Sequence, residues 1–104
     1  MMYKPEDDDT ERLIGSAMVP NLRKVFYAIK ELNDLGDPAT LKMMIPHTDL
    51  SESTISKYAI EMCKLHVAKR DKFEKDGARS YIYSLIEGPI LDKLSQFIAE
   101  YDDK

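Results

Sequence analysis

At Leu65-His66-Val67 the apolar period of the chain changes. Before that point, in SESTISKYAIEMCK, Ile55, Ala59 and Met62 recur every three or four positions, the spacing of one buried helix face. After it, VAKRDKFEKDGARSYIYSLI forms two runs with β-branched and aromatic content around Asp76-Gly77, a strong hairpin signal. A switch from helical to strand period within three residues requires a helix end to pack beside a hairpin, and this confines the chain to the α+β class, mainly helical.

The other elements follow from the same periodicity. VPNLRKVFYAIKELNDLG places Leu22, Val25, Phe26, Ile29, Leu32 and Leu35 at helical spacing, with Pro20 suited to the first turn and Gly36 to the residue just past the end. A second, short helix is expected from Asp37 as cap and Pro38 at the first position, with Leu41, Met44 and Ile45 apolar before Pro46 removes a backbone donor. Ser51 is a good N-cap for the third helix, 51–64, and Glu52 suits the positive end of its dipole. Gly88-Pro89 opens a last helix with Ile90, Leu91, Leu94, Phe97, Ile98 and Tyr101 on one face. The expected order is α-α-α-β-β-α.

The sequence holds 104 residues, 43% of them apolar, enough for one modest core. Residues 1–12 are acidic and are expected to form a flexible leader. They lack the basic-then-apolar pattern of a secretory signal, and no apolar run is long enough to span a bilayer, so a cytoplasmic protein without membrane association is expected. Cys63 is alone, which excludes an internal disulfide and leaves no thiolate pair for structural zinc. Met18, Met43, Met44 and Met62 read as core filler. Neither a glycine-rich phosphate loop, an HExxH pair nor a serine elbow is present, and His47 and His66 lack acid–base partners at diagnostic spacing; no catalytic residue, metal or cofactor is expected.

The net charge of −4 argues against nucleic-acid binding, but its distribution reverses that impression. Residues 57–79 carry seven bases (Lys57, Lys64, Lys69, Arg70, Lys72, Lys75 and Arg79) against four acids. A local positive field acts over about 8–10 Å, whatever charge the distant ends carry. Helix 51–64 also presents short hydroxylated residues at its start. A helix tip entering the DNA major groove needs such side chains, short enough for close approach and polar enough to bond base edges. Ser51, Ser53, Thr54, Ser56 and Lys57 are therefore candidate groove contacts, and Lys69, Arg70, Lys72, Lys75 and Arg79 are candidate phosphate contacts.

Over residues 20–87, and most specifically in LSESTISKYAIEMCKLHVAKRDKFEKDGARSYIYSL, the chain resembles winged helix-turn-helix transcription regulators of the ArsR and MarR type. The likeness lies in Leu50-Ser51, Thr54, Ile55, Ser56-Lys57, the basic hairpin strands and the closing Tyr83-Ser84-Leu85. It implies a winged-helix domain over 13–87, with recognition helix 51–64 and wing 67–86, that binds double-stranded DNA in a sequence-specific way. The apolar face of the C-terminal element, 88–104, is wider than the edge of one small domain needs, so it is expected to pair two copies through Ile90, Leu91, Leu94, Phe97, Ile98 and Tyr101, setting the recognition helices about 34 Å apart, the alternative being that it folds back on its own domain. Where the family has glycine between helix and wing this chain has His66, so either His66 adopts a left-handed conformation or the turn is built differently. The same scaffold also serves protein–protein interaction, the alternative function. The sequence says nothing of a small-molecule effector.

Overall fold

The computed structural model describes residues 5–75 and 77–102. Its elements are α1 (Pro5–Ala17), α2 (Pro20–Leu35), α3 (Leu41–Thr48), α4 (Glu52–Lys64), β1 (Ala68–Lys75), β2 (Ala78–Leu85) and α5 (Pro89–Asp102). The fold is α+β and mainly helical, with one antiparallel hairpin pairing Ala68 with Leu85 through to Lys75 with Ala78.

The core is built on α2, whose Leu22, Val25, Phe26, Ala28, Ile29 and Leu32 are all buried. Met44 of α3, Ile55, Ala59 and Met62 of α4, and Tyr83 of β2 close around it. Leu35, expected on the same face, is 65% exposed, because it is the last residue of α2 and its helix runs past the core. Gly36 ends α2 in the left-handed region (φ 75°), with its N–H on the Asn33 carbonyl and that of Asp37 on the Leu32 carbonyl.

The sequence reading does not predict α1, which begins inside the acidic stretch 1–12. The reason lies in its composition: PEDDDTERLIGSA offers only Leu13, Ile14 and Ala17 as apolar residues, less than a full period. Leu13 and Ala17 are nonetheless buried, and α1 packs against α5 and α2. Arg23 of α2 holds this corner together: its Nη1 donates to the Ala17 carbonyl at 2.8 Å and its Nε to Asp102 Oδ1 at 3.0 Å. Its guanidinium also lies 6.0 Å from the Tyr101 ring centre.

This packing alters the reading of α5. Leu94 and Ile98, expected at a contact between two copies, are fully buried within the chain's own core, while Ile90, Leu91, Phe97 and Tyr101 are half-buried against it. The face that looks too wide for a single copy is wide because α1 covers part of it.

Two other expectations are corrected. α3 starts at Leu41, not at Pro38: Thr40 caps it by accepting the Met43 N–H at 3.2 Å, and the Ala39 carbonyl is taken by the Tyr83 N–H at 3.0 Å. Pro46 costs one helical bond without stopping the helix, which runs on to Thr48; there the Thr48 hydroxyl donates to the Met44 carbonyl at 2.8 Å and left-handed Asp49 (φ 58°) terminates the turn. Among the methionines, Met44 and Met62 fill the core, but Met18 is 55% and Met43 40% exposed.

Between α4 and β1 the chain turns through His66 at φ 64°. The His66 N–H meets the Cys63 carbonyl and the Val67 N–H the Met62 carbonyl, both at 3.1 Å, with Val67 and Met62 fully buried. This is the double-bonded helix end that glycine usually supplies. A Cβ in that region costs about 1–2 kcal/mol, less the extra freedom glycine has when unfolded. His66→Gly is therefore expected to stabilise the fold by about 0.5–1 kcal/mol, read as a higher urea midpoint; a lower midpoint means that the imidazole contributes more than the strain costs.

Candidate nucleic-acid interface

Ser51 begins α4 with its hydroxyl fully committed. It accepts the Thr54 N–H at 3.3 Å and lies 3.0 Å from Thr54 Oγ1 as donor, with Ser53 Oγ at 3.2 Å. A hydroxyl has one proton, so with that of Ser51 on Thr54 the Ser53 proton turns toward Ser51, leaving Ser53 an acceptor on its outer side. Of the expected contacts, Ser51 and Thr54 thus build the helix start.

Ile55, Ala59 and Met62 hold the inner side of α4 in the core. At 100° per residue, Ser53, Ser56, Lys57, Ile60 and Lys64 then form one outward stripe. Ser53, Lys57 and Lys64 are exposed and Ser56 is half-buried. The ammonium of Lys57 sits 5.3 Å from the Tyr58 ring centre. Lys64 is the residue the sequence reading omits from the site; its position seven beyond Lys57, two helical turns, is the signal that places it there. Glu52 is exposed in the first turn of the same helix.

The hairpin divides its cations. In an antiparallel pair, directly opposite residues share a face and neighbours alternate. Arg70 and Lys72 therefore share one face with Tyr83 and Tyr81, and Lys69 shares the other with Asp71, Phe73 and Ile82. Register assigns Arg79 to the first face and Lys75 to the second; the side chains of both lie outside the described residues. The five expected phosphate contacts are thus not gathered on one surface, as strand alternation requires. Arg70 stacks on Tyr81, its guanidinium carbon 4.5 Å from the ring centre.

Arg70, on β1, lies close enough to α4 for its charge to act on Cys63. Burial pushes the Cys63 thiol above its ordinary range, and the Arg70 charge pulls it part of the way back. Cys63 precedes Lys64 at the edge of the outward stripe, and β1, which carries Arg70, packs against α4. Because the shift is upward, the thiol is protonated at neutral pH and is a poor nucleophile. Alkylation by iodoacetamide is expected to be slow at pH 7 in the folded protein and to accelerate only above the ordinary thiol range; an acceleration at lower pH contradicts this environment.

The root of the hairpin is fixed by a residue the sequence reading also missed. Asn33 of α2 donates from Nδ2 to the Tyr83 carbonyl at 3.2 Å and accepts the Leu85 N–H on Oδ1 at 2.9 Å. The side-chain amide bonds β2 as a neighbouring strand would. Together with the Ala39–Tyr83 bond it sets where the hairpin leaves the core.

Fold and site together define a small α+β domain in which a hydroxyl- and lysine-bearing helix adjoins a charged antiparallel hairpin. Comparison with known proteins returned no matching family model, no matching curated protein and no matching solved structure. Among the described residues no helix is long and apolar enough to cross a membrane.

Proposed function

We propose that the protein is a winged helix-turn-helix DNA-binding protein, a transcription regulator that lays α4 in the major groove and the hairpin, as a wing, along the sugar-phosphate backbone. The observation that carries this reading is the outward stripe of α4, where Ser53, Ser56, Lys57 and Lys64 lie outside the core on the helix that packs against β1, the strand of Arg70. Short acceptors at the tip suit base edges, and the lysines and arginine suit phosphates. Because a duplex meets only one face of a hairpin, Arg70 and Lys72 are the wing cations that act, and Lys69 contributes less.

The test is a salt titration of duplex binding. Lys57→Ala and Arg70→Ala are each expected to reduce the slope of log affinity against log salt by about 1, with Lys69→Ala changing it less. Unchanged slopes for both Lys57→Ala and Arg70→Ala remove the mechanism. The net charge of −4 and the exposed Glu52 favour a second reading, a winged-helix module for protein partners, which no duplex binding at low salt would support.

The regulator acts as a homodimer in this proposal. Its contact draws on the half-buried Ile90, Leu91, Phe97 and Tyr101 of α5 and on exposed Met18, with Leu94 and Ile98 retained inside each copy. Sedimentation equilibrium is expected to give twice the 12.0 kDa chain mass, and Phe97→Asp to give the single mass.

A further inference from the structure

The exposed middle of the hairpin carries an arrangement that duplex binding does not require. Tyr81 is a large ring, 38% exposed, between half-buried Ser80 and Ile82 on β2. Arg70 lies against it at 4.5 Å, and Lys72 is its direct cross-strand partner. A cavity of about 250 Å³, room for one planar base, opens at the same place, lined by Lys72, Phe73, Glu74, Ser80 and Tyr81. Every nucleobase has a π-face, and proteins that hold single strands combine aromatic platforms with cations that follow the phosphates. An arginine stacked on the tyrosine adds a second planar surface and a fixed charge.

We propose that the middle of the hairpin binds an unpaired base of single-stranded DNA, with Tyr81 as the stacking surface and Arg70 and Lys72 engaging the adjoining phosphates. Glu74 lines the same cavity. The inference stands on the hairpin alone and does not depend on α4 entering a groove.

Fluorescence anisotropy with a labelled thymidine oligomer of about 15 nucleotides tests it, beside an abasic oligomer of equal phosphate count. The thymidine oligomer is expected to bind about tenfold more tightly than the abasic one. Tyr81→Ala should abolish that difference and Tyr81→Phe should retain it, with unchanged circular dichroism. Equal affinity for the two oligomers, or no binding of the thymidine oligomer at low salt, overturns the proposal using the unaltered protein alone. A duplex titration run alongside separates the two readings: duplex binding without single-strand binding overturns this inference only, and single-strand binding without duplex binding overturns the groove-binding reading only.

Discussion

Leu13→Ala is expected to lower the unfolding free energy by about 3 kcal/mol, although Leu13 lies in a helix that begins in an acidic, apolar-poor stretch. The side chain is 1% exposed, and α1 packs on α5, where Leu94 and Ile98 are fully buried. Removing its three outer carbons forfeits their transfer from water and leaves a cavity beneath α5, which relaxes only partly. Urea denaturation measures the change, and a loss under about 1 kcal/mol means that α1 is not a working part of the core. Truncation before Val19 carries a second expectation. It strips from α5 the helix that packs on it, so the shortened chain should self-associate more strongly than the full one in sedimentation.

Asn33→Leu is expected to cost about 2 kcal/mol and to loosen the hairpin root. Both bonds of the Asn33 amide go to β2 backbone, and leucine, of similar size, leaves the Leu85 N–H and the Tyr83 carbonyl without that partner. Tyr83 is 1% exposed, so water does not easily replace the bond to its carbonyl. Hydrogen exchange at the Leu85 amide should accelerate more than exchange in the middle of α2. Asn33→Asp separates the two bonds, since it keeps an acceptor for the Leu85 N–H and sets an anionic oxygen against the Tyr83 carbonyl. If Asn33→Leu leaves Leu85 exchange unchanged, the Ala39–Tyr83 bond and strand packing alone hold the root. In the groove-binding reading the same variant should lower the salt slope through the wing cations while the share due to Lys57 remains.

The elements with a full apolar period were legible in the sequence. α2, α4, the hairpin and α5 all announced themselves through spacing, caps and the Asp76-Gly77 turn. α1 did not, because half of it is charged and its burial depends on a partner seventy or more positions away. The start of α3 was misplaced for a related reason: Asp37-Pro38 is a good local start, but the Ala39 carbonyl is claimed by Tyr83, and no local rule includes a tertiary bond. In the candidate interface, the residue types were visible and their division was only half read. The capping preference of Ser51 was clear, whereas the separation of Lys69 from Arg70 follows from strand alternation that the charge count ignored. Asn33 gave no signal beyond being a polar residue beside a buried stripe.

The hairpin sheet stops at β1, whose outer backbone edge no further strand covers among the described residues. Such an edge invites pairing with another chain, and charged side chains along it are the usual guard. Five of the six residues from Lys69 to Glu74 are charged. The cations assigned here to nucleic acid therefore also keep the protein from growing into intermolecular sheet, so variants that neutralise several at once are expected to precipitate before their affinity can be measured.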